Sequence, residues 1–444
     1  MRKLQFLCAC LAAALGACGG VCAQERALTL EEMFSMADSL NATVKASDFG
    51  VDEAQAGVEV ARGALLPSIE ASASASLIGL GYSMDRNFSN SVNEHLPLFG
   101  NNIALQVSQV VFTGGAIKNG IKAAEVGAQM AELNAASNRQ EVRYLIAGTS
   151  LEIIKLENQM KVMDSNIELL GRVLEQMRKR YDEGTVLRSD ITRYEILLQD
   201  MKYARLQISS ARDIMTGKLA IALGLSASDK VRPDMDIDMA TTDTGAAAWL
   251  ETARQSSSAL RGADLAVQMK QAELKIAKAG RMPSIALFAG DTFNGPDVTT
   301  FISGKMAGYG PLDKNFNFAT VGVGIKYNID NLYKSGRTIR RSQAALSKSM
   351  EDLHAAEQGI DLAVNAAYID YSNSFEKLSI KTDAASLARE NYDLVSSRYE
   401  SGLATMTDLL DASSKRLESE LDQVNARIDI LSGYYKLLYI SGTI

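Results

Sequence analysis

The chain is written twice. Arg180-Tyr181-Asp182-Glu183-Gly184 returns as Arg398-Tyr399-Glu400-Ser401-Gly402, 218 positions later. Leu66-Pro67-Ser68-Ile69 returns as Met282-Pro283-Ser284-Ile285, 216 positions later. A period this long is not that of a solenoid, whose units run about 20–50 residues. It marks a duplicated half-protein and implies pseudo-symmetry. The register is strict over most of its length. From Ile103/Val321 through Gly184/Gly402 and Asp190/Asp408 to Gly224/Gly442 the offset stays at 218. Upstream, Phe34, Ala37, Val44 and Ala61 match Leu250, Ala253, Leu260 and Ala277 at 216. The change falls where a loop absorbs extra residues cheaply, outside the segments where an insertion would rotate a helical seam off its partner.

Prolines divide the chain into segments. Six occur, at Pro67, Pro97, Pro233, Pro283, Pro296 and Pro311, leaving two long proline-free tracts. Long helices need such tracts, because an interior proline breaks the hydrogen-bond ladder. In the first tract Ile146, Thr149, Ile153, Leu156, Met160, Met163, Ile167, Leu170, Leu174, Met177 and Tyr181 step by three and four, a coiled-coil seam. Gly184 interrupts it, and a second helix is expected from about Asp190 to Leu223. In the second tract Leu410, Ser413, Leu417, Leu421, Val424, Ile428, Leu431, Tyr435 and Leu438 mark the returning helix after Gly402.

Around the early prolines the period changes to two. Ile69, Ala71, Ala73, Ala75 and Leu77 alternate with Glu70, Ser72, Ser74 and Ser76, and Val321, Val323, Ile325, Tyr327 and Ile329 alternate with Thr320, Gly322, Gly324 and Lys326. These are strands with one apolar and one small or polar face, about 10 residues long, the length of a transmembrane β-strand. Loops rich in Gly, Asn, Ser and Asp join them, with Phe88, Phe99, Phe301 and Tyr309 placed as interface aromatics.

The expected organisation is a signal peptide at 1–23, a first repeat at 24–225, a linker at 226–245 and a second repeat at 246–444. The first repeat carries strands at about 67–78 and 101–112 and a helical hairpin at about 115–224 with its tip near 184. The second carries strands at about 283–292 and 316–329 and a hairpin at about 333–442 with its tip near 402. The leader has basic Arg2 and Lys3, an apolar core from Leu4 to Leu15 and a small-x-small site at Val21-Cys22-Ala23. Leu15-Gly16-Ala17 before Cys18 offers the rival reading of a lipoprotein signal. All four cysteines lie in this leader, which excludes a disulfide framework or a cysteine zinc site from the rest of the chain. The net charge of −7 becomes −9 without Arg2 and Lys3, which disfavours nucleic acid as a partner.

A helix of about 70 residues is roughly 105 Å long, over three times the hydrocarbon thickness of a bilayer. It must project away from the membrane. Four strands do not close a membrane barrel, which takes about eight, and open edges are not tolerated in lipid. Several chains must therefore share one barrel. Two would give eight strands and a filled interior, three would give twelve and room for a channel.

At this point the chain resembles the TolC-like outer-membrane efflux proteins, the outer membrane factors of tripartite efflux and type I secretion systems. The residues that carry the resemblance are Leu66-Pro67-Ser68 entering the first strand, Phe112-Thr113-Gly114-Gly115 leaving the second, and Arg398-Tyr399-Glu400-Ser401-Gly402 followed by Thr407-Asp408-Leu409-Leu410-Asp411-Ala412. The resemblance covers nearly the whole chain after the leader. It implies an α+β membrane protein, a homotrimer with a twelve-stranded β-barrel in outer-membrane lipid and an α-helical barrel in the periplasm. It implies a passive duct, opened through a periplasmic adaptor and an inner-membrane pump of the RND, ABC or MFS type, with no cofactor. Asp408 and Asp411 match the paired aspartates that ring the periplasmic aperture, with Asp190 as a third carboxylate from the first repeat. Such rings favour cations. Tyr399 matches the tyrosine whose hydrogen bonds help lock the closed tip. Gly184, Gly402, Arg180 and Arg398 fall at the tips that meet the adaptor. Where some members carry a lock arginine, this chain has Ala404.

Other readings of these residues stand beside these. Asp190 and Asp408 are at helix starts, where carboxylates complement the dipole, and Thr405-Met406-Thr407-Asp408 resembles a capping box. Gly184 and Gly402 are turn residues first. His95 and His354 are isolated, and no nucleophile-base set appears. A periplasmic coiled-coil adaptor or scaffold without a pore shares the hairpins but not the alternating strands.

Overall fold

The computed structural model describes residues 26–77, 81–94, 99–235, 245–295 and 316–444. The leader, Cys18, His95, Phe301 and Tyr309 lie outside the described residues. The first repeat runs β1 (Arg26–Thr29), α1 (Leu30–Leu40), α2 (Ala42–Gly63), β2 (Ser68–Leu77), β3 (Gly81–Ser83), β4 (Val92–Glu94), β5 (Phe99–Phe112), α3 (Ala116–Asp182) and α4 (Arg188–Ala222). After β6 (Val231–Asp234) the second runs α5 (Ala246–Ser256), α6 (Ser258–Ala279), β7 (Ser284–Asn294), β8 (Phe316–Lys326), α7 (Asn331–Glu400) and α8 (Met406–Ser441).

The chain forms two compact units. The second unit, Asp52–Met130 with Ala263–Leu353, holds a four-stranded antiparallel sheet in the order β2-β5-β7-β8. Its register aligns the period-two faces across all four strands. Ile69, Val107, Ala289 and Val321 stand in one row, and Glu70, Gln106, Gly290 and Thr320 in the next. The apolar face is bare: Leu77 is 83 % exposed and Val321 88 %. Two boundaries differ from expectation. β5 begins at Phe99, ahead of residue 101, because its pairing with β2 continues to Leu77. β8 ends at Lys326 and not at 329, because residues 329 and 330 already turn into α7.

The first unit, Met1–Val51 with Ala131–Gly262 and His354–Ile444, is helical. The α3 seam is buried as its spacing requires. Ile146, Ile153, Met163, Leu170, Leu174 and Met177 are at most 5 % exposed, whereas Tyr181 at the end emerges into solvent. Ala147 and Leu151 of α3 pack on Ile428, Leu431 and Tyr435 of α8, so the two hairpins share a core. One element was not expected: in the segment read as a linker, β6 pairs in parallel with β1, Val231 opposite Arg26. Leu28 and Val231 are buried there with Met33, Ile146 and Leu219.

The duplication extends to backbone detail. Asn41 breaks α1 from α2 with φ −63° and ψ 129°, and Ser257 breaks α5 from α6 with φ −60° and ψ 122°. The Asn41 amide donates to the Ala222 carbonyl at 2.8 Å, and its oxygen accepts from the backbone of Thr43 and Val44. Among the described residues, no helix is long and apolar enough to cross a membrane.

Candidate functional site

The turns that end the hairpins are set by one residue type at one conformation. Gly184 has φ +77° and Gly402 φ +75°, the left-handed region that glycine enters without steric cost. Each closes a Schellman motif. In the first tip Thr185 N–H donates to the Arg180 carbonyl at 2.9 Å and Gly184 N–H to the Tyr181 carbonyl at 2.9 Å. In the second, Leu403 N–H donates to Arg398 at 2.8 Å and Gly402 N–H to Tyr399 at 3.1 Å. Arg180 and Arg398 thus cap through their carbonyls, which leaves their guanidinium groups to other tasks. The Arg398 side chain is exposed and that of Arg180 half-buried.

After the second tip the chain re-enters a helix through a closed capping box. The Asp408 N–H donates to Thr405 Oγ1 at 3.2 Å, and the Asp408 carboxylate accepts from Thr405 N–H at 2.7 Å and from its hydroxyl at 2.6 Å. These hydrogen bonds hold the Asp408 carboxyl below the usual carboxylate range. Asp411 lies one turn further on the same helix and is exposed. The cap reading of Asp408 therefore describes its present contacts.

The first repeat does not reproduce this cap. Leu187 occupies the cap position of α4 without a side-chain hydrogen bond, and Asp190 sits in the first turn. Asp190 is brought to Tyr399 instead. Burial pushes the Tyr399 phenol up, the Asp190 charge adds to that, and Arg180 pulls the other way. Three of the residues singled out in the sequence thus share one neighbourhood, and Asp408 with Asp411 forms a second one on α8. Arg178 bridges Glu195 at 2.9 Å across the first hairpin.

Beneath the tips lies a core of Met163, Leu170, Leu174, Met177, Ile191, Tyr194, Met406 and Leu409, closed by Tyr392. Burial, then the neighbouring phenols of Tyr392 and Tyr399, push Tyr194 up, so it is a neutral packing group. Below this core is a set of residues that the sequence did not reveal. Glu420 on α8, 6 % exposed, accepts from Arg389 of α7 at 2.7 Å, from Arg416 at 3.2 Å and from Asn166 of α3 at 3.0 Å. Burial pushes its carboxyl up, but the Arg389 and Asn166 hydrogen bonds and the Arg416 charge outweigh that and hold it low. Gln159 donates to Asn425 at 2.7 Å nearby, so two polar bridges tie the hairpins together. The signal available was the i, i+4 spacing of Arg416 and Glu420, which also describes an ordinary solvated pair.

The sequence profile of the family described as outer membrane efflux protein matches residues 33–225 and again 249–443, one match per repeat. The chain belongs to the outer membrane efflux protein family. It is 22 % identical over 405 residues to the outer membrane protein TolC of Vibrio cholerae serotype O1, covering 88 % of this chain and 86 % of that one. It is 23 % identical over 411 residues to the outer membrane efflux protein BepC of Brucella suis, covering 90 % and 82 %. Among solved structures, the outer membrane protein VceC of Vibrio cholerae has the same fold, with a TM-score of 0.76, 14 % identity and coverage of 93 % and 96 %. This outer membrane efflux protein is an exit duct for efflux, placed in the outer membrane with its helical part in the periplasm. Its family is one of channels, not of enzymes.

Proposed function

We propose that three copies close one duct, and that it opens at the hairpin tips when a periplasmic adaptor and an inner-membrane pump engage them. The observation that carries this reading is a matched pair of unsatisfied edges. In the sheet, β2 and β8 are outer strands with no further partner among the described residues. In the helices, α4 exposes Ile196, Tyr203, Leu206, Ile214 and Ile221, and α7 exposes Leu362, Ile369, Ile380, Leu387 and Leu394. The residues of each stripe are 3, 7, 8 or 11 apart, spacings that keep them on one helix face, as in a seam that lacks its partner. Packing α4 of one copy on α7 of the next uses both stripes, and pairing β8 of one copy with β2 of the next uses both sheet edges. Twelve strands then leave a channel, with the Ser, Gly and Thr face toward water and the Val, Ile and Leu face toward lipid.

At the tips, three copies bring Asp408, Asp411 and Asp190 into one mouth, a carboxylate ring that favours cations. Tyr399, held beside Asp190, ties the second hairpin to the first in the closed state. Residues 1–23 act as the export signal. The cargo is set by the pump.

The assembly is tested by Ile214→Asp and Leu387→Asp, each of which places a charge in the inter-copy seam. Light scattering in detergent should show monomers, and planar bilayers should show no conductance. Intact trimers from both variants would refute the packing. The gate is tested separately by Asp408→Asn with Asp411→Asn. Cation selectivity and block by divalent ions should weaken with conductance retained, and unchanged selectivity would remove these residues from the aperture.

A further inference from the structure

The second unit carries a charge pattern that efflux does not require. After loss of the leader the chain is acidic, at −9. Yet the helix ends next to the sheet, at 59–66, 113–126, 270–283 and 326–342, contain twelve lysines and arginines against four acids. All four acids are already paired within this zone: Glu59 and Glu125 with Arg62, Glu273 with Lys270, Asp330 with Lys334. The surplus is therefore unneutralised. Its densest part lies on α7. At about 100° per residue, Lys334, Arg337, Arg340 and Arg341 fall within about 120° of one another, on one face of the helix. Arg337, Arg340 and Arg341 are exposed, and none has a carboxylate partner among the described residues. Ser335, on the opposite side, is 8 % exposed and packs toward Arg281, whose Nε donates to its hydroxyl at 2.9 Å.

A second observation sets the depth of this face. Tyr333 lies on the same face, toward its Arg340 edge, 69 % exposed, with the Lys334 ammonium 5.8 Å from the ring centroid. Tyr327 and Ile329, 40 % and 70 % exposed, lie in the connection just before it. Exposed tyrosines at the end of a membrane strand are the residues that settle at headgroup level. From the start of α7 the four cations lie about 4–15 Å along the helix. The headgroup layer is about 5–7 Å deep, and long cationic side chains reach back to it along their apolar stems. The first two reach the phosphates directly, and the other two stay within about a Debye length of the surface.

We propose that this collar holds anionic glycerophospholipid headgroups of the periplasmic leaflet. It anchors the duct at a fixed depth by charge as well as by its apolar band, a juxtamembrane cation cluster that recognises anionic lipid. The inference rests on the outer-membrane location and not on the trimer or the gate, so it survives failure of either.

The test uses the full-length protein in mixed micelles of phosphatidylcholine and phosphatidylglycerol, with retained lipid quantified after washing. The wild type should enrich phosphatidylglycerol, and high salt should remove the enrichment. Arg337→Gln with Arg340→Gln and Arg341→Gln should lower it by about tenfold. The triple lysine variant at the same positions should retain it, which separates lost charge from lost fold. Arg172→Gln with Lys202→Gln, in the first unit, should leave it unchanged. Inorganic phosphate should displace the lipid no better than chloride at equal ionic strength. Equal enrichment in the glutamine variant overturns the proposal, as does equal loss in the first-unit variant. A glutamine variant that keeps the lipid but changes ion selectivity in planar bilayers overturns it too, since the cations would then face the water path.

Discussion

Gly442 has a neighbour that Gly402 lacks, and the difference is measurable. Both adopt φ near +77° and both end a helix in a Schellman motif. A Cβ at Gly402 would meet nothing within 4 Å, whereas one at Gly442 would lie 2.6 Å from the Ser256 carbonyl oxygen. Gly224, its partner in the first repeat, would place a Cβ 2.6 Å from the Leu40 backbone. Gly402→Ala should therefore cost only the left-handed strain, about 1–2 kcal/mol. Gly442→Ala and Gly224→Ala add a backbone displacement and should cost about 3 kcal/mol or more, seen as lower melting temperatures. Equal losses at 402 and 442 would show that the helix break at Ser257 yields freely. Asp408 makes a prediction in pH. Its folded carboxyl is held below the ordinary 3.8, so its stabilisation is fully present above that value. It is lost as pH falls through the folded value. Amide protection at the start of α8 should drop below about pH 4 in the wild type and much less in Asp408→Asn. A wild type as flat as the variant would mean that the cap carries no charge-dependent stability.

At the scale of elements, the helical seams were legible because a heptad pattern repeated over many turns leaves few alternatives. The strands were legible for the same reason, with a period of two. What escaped was short or polar. β1 and β6 have four residues each, too few to show a period, and the pair joins segments about two hundred positions apart, with Pro233 inside one of them. The α1–α2 break at Asn41 escaped because an Asn within a helical pattern reads equally as a surface position. Glu420 escaped because an acid beside a seam is usually solvated, and only its three partners on three helices reveal its role. At the tips, sequence placed Asp190 and Tyr399 in different repeats and the fold brings them together, something no local pattern encodes. The Glu420 cluster has a direct test. Glu420→Ala leaves Arg389 and Arg416 without this acceptor and the buried Asn166 amide with the Val162 carbonyl alone, at 2.9 Å, and should destabilise the protein by about 2–4 kcal/mol. Because Arg389 is half exposed and can turn to water, the low end is the better expectation. Adding Arg416→Met and Asn166→Leu should recover much of the loss, since apolar packing can replace a buried ionic set. If thermal melting shows no recovery, the cluster acts through geometry that packing does not supply.

Across the whole molecule, the two offsets of the repeat mark which parts of the chain fix the others. The 218 register runs unbroken from β5 and β8 to the ends of α4 and α8, and the two-residue change lies between β2 and β5 in one half and β7 and β8 in the other. Physical reasons separate these regions. One residue added to a helix turns everything beyond it by about 100°. An insertion after Asp164 on α3 would swing the Ile167, Leu170, Leu174 and Met177 seam out of the core that it shares with Ile191, Met406 and Leu409. It would also carry Asn166 away from Glu420. An insertion after Ser89, between β3 and β4, meets only a local turn in which Asn90 donates to Asp85 at 2.7 Å, and loop closure there costs a few tenths of a kcal/mol. Inserting one alanine after Asp164 should therefore abolish assembly and export. The same insertion after Ser89 should leave outer-membrane levels and conductance close to wild type. Both are read by fractionation and single-channel recording. If the two insertions behave alike, the constant register is an accident of descent and not a consequence of helix geometry.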